Sequence, residues 1–312
     1  MAIFEVTRKQ LGKNIIFTLC GLFILSTLLI IFTDSKSRSL FTNLPETIAA
    51  GFAFGFSLIL LFRLVKNAFA SKNDLNHDHH HHDHNTGVIR HLKQATSSID
   101  GELLTQLFLT LAIGSWFSAE MIYSYYQVWL NVETPFPSIA DPFYLIGYGL
   151  FAVYLYRVLR VSVKTISRDI IGLISFAVAL SIGYILNLSF GVAQIVSIQQ
   201  NTLTTTLSVT YPVLDAVLLV PAVTILWGIR MGALEHTHWF LISLFIIFET
   251  IADIGFGYAA VIGKLDQAEW IWDILYNAAY ITLAASLFCE SRYNPDNHIF
   301  GKETTIPDKT TM

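Results

Sequence analysis

Charge is what this sequence has least of. Asp, Glu, Lys and Arg make up 13% of its 312 residues, about half the share found in soluble domains. So few charges cannot cover a globule of this size in water, and a soluble enzyme is excluded. Cysteine is scarcer still: Cys20 and Cys289 are the only two, which excludes a disulfide framework and a four-cysteine zinc site. A long polar module is also missing. The one extended hydrophilic stretch is 66–99, and the last stretch, 290–312, carries Pro295 and Pro307, which argue against regular structure there.

What is abundant is apolar. Hydrophobic residues make up 54% of the chain and aromatics 13%, and the mean hydropathy is +0.55. That is the opposite of a disordered composition. Apolar runs long enough to cross a bilayer, about 20 residues each, fall at 15–33, 47–65, 103–125, 143–161, 170–188, 210–229, 239–262 and 270–289. The first follows Arg8, Lys9 and Lys13 as a signal peptide would, but it is too long for one and no small-residue cleavage site follows it. The sequence therefore predicts an all-α fold, a polytopic integral membrane helical bundle of about eight transmembrane helices. Residues 1–312 form one membrane domain, with 66–99 as a cytoplasmic His-rich linker and 290–312 as a flexible cytoplasmic tail.

Orientation follows from the basic residues. Placing both termini inside puts sixteen of the nineteen Lys and Arg on the cytoplasmic side and leaves Lys36, Arg38 and Lys264 outside. An even number of spans is required, and a cell-membrane location is expected.

The hydrophilic stretch holds His77, His79, His80, His81, His82 and His84, interleaved with Asp78 and Asp83. Neutral imidazole beside carboxylate is a ligand set for zinc or nickel. A solvated linker that binds metal adventitiously has the same composition, so no cofactor is expected beyond regulatory or adventitious zinc or nickel at this tract. A zinc transporter needs ligands within its helices as well. By these boundaries no spanning helix carries a histidine, since His236 and His238 fall in a loop.

Acids inside the membrane are costly and by default mark a functional site or a buried pair. Six lie within or at the ends of the runs: Glu120, Asp141, Asp215, Glu249, Asp253 and Asp273. The topology puts all six between the membrane centre and the outer surface, where the helices offer no Lys or Arg. An unpaired carboxylate in low dielectric takes up a proton, binds a cation or lines a wet cavity. Glu249 and Asp253 are spaced i, i+4 and share a helix face. Tyr123, Tyr144, Tyr148, Tyr211, Tyr258, Tyr276 and Tyr280 lie at similar depths and can donate hydroxyls. The bland readings are specific: Ser138-x-x-Asp141 is a capping box, Asp273 complements a helix dipole, and interfacial tyrosines form an aromatic belt. The functional reading is an outward-opening pocket with Glu120, Asp141, Asp215, Glu249, Asp253, Asp273, Tyr144, Tyr148, Tyr276 and Tyr280 as ligand-binding candidates.

Two hairpins look alike. Ala119-Glu120 is followed by Asp141, Tyr144 and Tyr148, and Ala252-Asp253 by Asp273, Tyr276 and Tyr280. The acid-to-acid spacings are 21 and 20, and each later Asp has Tyr at i+3 and i+7. This pattern fits two parallel four-helix repeats about an axis along the membrane normal.

The stretch Pro137-Ser138-Ile139-Ala140-Asp141-Pro142-Phe143-Tyr144-Leu145-Ile146-Gly147-Tyr148 resembles the PSxADxxYLxxY signature of the multi-span N-terminal membrane sensor region of bacterial diguanylate cyclases and sensor kinases. Trp116–Tyr123 and Tyr211-Pro212-Val213-Leu214-Asp215 are similar to segments around it. The resemblance covers about 115–160, with a looser match to 230, and implies sensory input from outside the cell. No cyclase, kinase or PAS-like sequence follows the last apolar run, so it implies output through a separate cytoplasmic signalling partner.

The leading expectation is a stand-alone sensor- or receptor-like domain that binds a small ligand or cation in the acidic pocket. The alternatives are a cation- or proton-coupled transporter and a non-catalytic subunit of a membrane complex. No catalytic motif is present: the last run has no lysine for a Schiff base, and histidines for an intramembrane zinc hydrolase are missing. The lipid bilayer is the certain partner, and nucleic acid is not expected.

Overall fold

The computed structural model describes the chain from Asn14 to Tyr293, apart from 15–16, 19–20, 34, 79–85, 133, 163–166, 197–201, 231–236 and 262–264. Every regular element in the described residues is helical. The elements are α1 (Gly21–Phe32), α2 (Ser35–Asp78), α3 (Thr86–Ser124), α4 (Asp141–Ser162), α5 (Arg168–Val196), α6 (Thr202–Arg230), α7 (Thr237–Val261) and α8 (Leu265–Tyr293). The last turn of α3 widens into a π-turn over Tyr125–Trp129.

The predicted apolar runs from 47 onward coincide with α2 to α8, most of which extend beyond their runs, whereas α1 covers only Gly21–Phe32 of the run at 15–33. The polar linker expected over 66–99 is helical on both flanks, since α2 continues to Asp78 and α3 begins at Thr86. Hydropathy marks where a helix meets lipid, not where its backbone ladder ends. His79–His84 lie outside the described residues, as does the tail from 294.

Six helical stretches among the described residues are long and apolar enough to cross a membrane: Leu40–Ala70, Gly101–Trp129, Asp141–Arg160, Val209–Ile229, Thr237–Ala259 and Trp270–Arg292. The surface of the bundle, α5 included, is inverted relative to a soluble protein. Phe52, Phe62, Leu173, Phe176 and Tyr184 are exposed, whereas Thr105, Gln106, Glu120, Asp215 and Asn277 are buried. Apolar outside and hydrogen-bonded polar inside is the arrangement lipid demands.

Side-chain bonds fix the helix directions. Thr47 on α2 meets Ser124 on α3 at 2.5 Å, and further along Ser57 meets Thr110 at 2.7 Å, so α2 and α3 are antiparallel. Arg157 at the end of α4 holds the start of α3, donating to Thr105 Oγ1 and to the Gly101 carbonyl, both at 2.8 Å. Tyr211 and Asp215 near the start of α6 bond Asp141 and Tyr148 near the start of α4, which makes α4 and α6 parallel. At the start of α2, the Thr42 carbonyl accepts from Asn277 in the first half of α8, and at the end of α2 Arg63 donates to the Ser291 carbonyl near the end of α8. Those two helices are parallel as well. The core between them is built from Ala50, Ala53, Leu109, Ile113, Trp116, Phe151, Leu155, Phe245 and Leu283, among others.

The two ends of the bundle differ in charge. Where side chains are described, Arg63, Lys66, Arg157, Arg160 and Arg292 all lie toward the end where α2, α4 and α8 finish. The six acids singled out in the sequence gather at the other.

Candidate functional site

The acidic end is organised by tyrosine hydroxyls. Glu120, buried on α3, accepts at Oε1 from Tyr144 of α4 at 2.8 Å and from Tyr280 of α8 at 2.9 Å. Asp253 on α7 accepts at Oδ1 from Tyr276 of α8 at 2.5 Å and at Oδ2 from Tyr148 of α4 at 2.6 Å. Tyr148 also lies 2.8 Å from Oδ1 of Asp215 on α6. Seven of the ten predicted residues thus bond in two clusters, Glu120 with Tyr144 and Tyr280 and Asp253 with Tyr276, Tyr148 and Asp215, an arrangement that spans five helices.

Its connectivity is reciprocal. In each hairpin the tyrosine at i+3 from the first-turn Asp bonds the acid of its own hairpin: Tyr144 to Glu120, Tyr276 to Asp253. The tyrosine at i+7 crosses to the other: Tyr148 to Asp253, Tyr280 to Glu120.

Close approach makes these contacts possible. A Cβ on Gly147 would overlap the Trp116 indole, and one on Gly255 would overlap the ring of Trp272, so α4 lies against α3, and α8 against α7, at the level of the acids.

The other three candidates stand apart in different ways. Asp141 is occupied as a cap: its Oδ2 accepts the Ser138 N–H at 2.5 Å while the Ser138 hydroxyl accepts the Ala140 N–H at 3.1 Å, the capping-box geometry. Its Oδ1 takes the Tyr211 hydroxyl at 2.6 Å. Asp273 sits one turn before Asn277, which donates to its carbonyl at 3.0 Å. Glu249 shares a helix face with Asp253 as the spacing predicts, and its buried Oε2 has no hydrogen-bond partner.

A seventh acid belongs to this group. Glu46 on α2 is buried at 7% exposure and lies within electrostatic reach of Glu120, Glu249, Asp253 and Asp273. The apolar run on this helix starts at 47, one residue too late to include it. Pro45-Glu46 is the missed signal, since proline does not end a helix here. Around Glu46, Asn43 donates to Gln127 of the π-turn at 2.7 Å. Among the described residues no three His, Cys, Asp or Glu side chains converge in a metal-holding arrangement.

Below the acids lies an aromatic layer. Trp116, Phe151 and Phe245 touch one another at ring-centre distances of 5.0, 5.7 and 5.9 Å, with Tyr148 against Trp116 at 5.7 Å. Below this layer the interior turns polar again, toward the basic end. Gln106, Thr110 and Ser57 are mutually bonded, Glu102 is buried, and His238 bonds the Ser286 hydroxyl at 2.8 Å with Glu290 at 3.4 Å. His238 is therefore a buried residue of the first turn of α7, not a loop residue. The helix starts two residues before its apolar run, and Ser286 of α8 bonds the imidazole at Nδ1, while Nε2, 3.4 Å from Glu290, has no hydrogen bond.

No family model, curated protein or solved structure matches the chain.

Proposed function

We propose that the chain is a sensor- or receptor-like membrane domain of eight crossings that binds a small ligand or cation in its outward-facing acidic site and signals through a separate cytoplasmic partner. The eight-crossing topology is supported by the parallel run of α4 and α6: for both to start on one side, α5 has to return across the bilayer between them. The reciprocal tyrosine bonds support two four-helix repeats facing one another across the site. The resemblance to the bacterial sensor regions fits, because Ser138, Asp141, Tyr144 and Tyr148 of the shared signature all bond within or beside the two clusters.

The observation that carries the reading is the aromatic layer of Trp116, Phe151 and Phe245 directly beneath the acids. An acid-lined site with a packed aromatic floor can hold a ligand without passing it on. Ligand contacts at the tyrosine clasp would instead change how the two hairpins pack, and that change reaches the far end along rigid helices.

The buried polar layer at the basic end favours a second reading, a cation- or proton-coupled transporter in which the aromatic layer is a gate. Reconstitution of the full chain into sealed liposomes separates the two. With methylammonium and calcium chloride as probes, a sensor gives a saturable change in tryptophan fluorescence and no uptake. Accumulation of a probe inside the vesicles favours the transporter. Neither signal overturns both.

A further inference from the structure

Several buried side-chain atoms at the acidic end lack partners, among them three oxygens as well as the donors Thr250 Oγ1 and Trp272 Nε1. Asp215 is 1% exposed and Asn277 0% exposed, yet Asp215 Oδ2 and Asn277 Oδ1 have no hydrogen-bond partner, and neither does Glu249 Oε2. All three are acceptors. The one matching N–H donor in the region is the indole of Trp272. Each buried acceptor left unmade costs about 1–3 kcal/mol. Asp215 and Asp253 flank the Tyr148 hydroxyl, which places Asp215 beside the face of α7 that carries Glu249 one turn before Asp253, and Asn277 lies on α8 between Tyr276 and Tyr280, its amide spent on the Thr42 and Asp273 carbonyls.

We infer that the site takes an ammonium group bearing N–H donors, held between Asp215 and Glu249, rather than a metal ion. This rests on the ligand-binding reading above and names its ligand class. A hard metal ion needs several oxygens converging at about 2.0–2.6 Å. Here the tyrosine hydroxyls occupy Glu120 Oε1, Asp215 Oδ1 and both oxygens of Asp253, and no three of the described acids converge at metal-binding spacing. An ammonium makes its bonds at ordinary N–H···O distances in several directions and needs no such convergence. No described Lys or Arg side chain at this end supplies the charge instead.

The test uses the full chain in lipid nanodiscs, with binding read by calorimetry and tryptophan fluorescence. The probes are methylammonium, tetramethylammonium, methanol and calcium. Methylammonium is expected to bind saturably and about tenfold or more tighter than tetramethylammonium, which has no N–H to give. Methanol, its neutral counterpart in size, is expected not to bind. Asp215→Asn and Glu249→Gln are expected to weaken methylammonium by a similar factor. Tetramethylammonium binding as well as methylammonium overturns the inference, because an aromatic cage would then suffice. That comparison needs no variant to fold. Calcium binding without methylammonium overturns the ligand class and leaves the ligand-binding reading standing. Saturation by no probe overturns both.

Discussion

Tyr148 on α4 reaches across the bundle to Asp253 on α7 at 2.6 Å. Its counterpart Tyr280 returns the contact to Glu120 at 2.9 Å, so each hairpin holds the other's acid. The two contacts are not equal in consequence. Glu120 Oε1 keeps Tyr144 when Tyr280 is lost, whereas Tyr148 brings one hydroxyl, with one proton to donate, within reach of both Asp215 and Asp253.

Tyr148→Phe is therefore expected to be the more damaging of the pair. It removes a hydroxyl that lies within reach of two buried carboxylate oxygens, for about 2–4 kcal/mol, against about 1 kcal/mol for Tyr280→Phe. Reversible unfolding in mixed micelles measures both. A cycle with Asp253→Asn should return a coupling of about 0.5–3 kcal/mol for Tyr148. Additive effects would mean that the bond contributes nothing.

At the opposite end Arg157 joins two helices with two bonds in a fixed fork, to Thr105 and to the Gly101 carbonyl. Lysine has the charge but not the planar geometry. Arg157→Lys is expected to destabilise the chain by about 1–2 kcal/mol, with Arg160→Lys, one turn on and exposed, as a near-silent control. Equal effects from the two would reduce the contact to generic interfacial charge.

The bundle and its acids are legible in sequence for one physical reason: lipid forbids exceptions that do not matter. Segments of bilayer length stand out because every residue facing lipid must be apolar. Glu120, Asp215 and Asp253 stand out because nothing else there is charged. The i+3 and i+7 tyrosines follow from helix periodicity, which puts them on the face of the acids. What periodicity cannot give is the partner across the bundle, so the crossing of Tyr148 and Tyr280 emerges only from packing. Glu46 and His238 are lost at helix boundaries, where polar turns continue the helix beyond the apolar run. The polar layer of Ser57, Gln106 and Thr110 is lost for a related reason: small hydroxyl and amide residues dilute an apolar run too little to register, yet they bond one another in the interior.

The aromatic floor gives a functional prediction. Trp116→Ala removes the ring that touches Phe151, Phe245 and Tyr148, with an expected loss of about 3–5 kcal/mol. Phe245→Leu keeps most of the volume and is expected to cost under about 1.5 kcal/mol. In sealed liposomes carrying a pH-sensitive dye, the native chain and Phe245→Leu should be tight to protons, while any folded Trp116→Ala should leak. Proton flux through the native chain would show that the layer does not seal.

Two glycines two residues apart in α4, and so on roughly opposite faces of the helix, test how closely the hairpin is packed. Gly147 faces the Trp116 indole so closely that a methyl group has no room, while nothing lies within 4 Å of a Cβ at Gly149. Alanine is the better helix former by about 0.5–1 kcal/mol, so Gly149→Ala should be neutral or slightly stabilising. Gly147→Ala has to push Trp116 aside, and overpacking of that kind costs about 1–3 kcal/mol. Because Trp116 also touches Tyr148, the displacement should carry into the clasp. Adding Tyr148→Phe to Gly147→Ala should then cost less than it does in the native chain, whereas its cost in a Gly149→Ala background should be unchanged. Equal costs in both backgrounds would uncouple the floor from the acids.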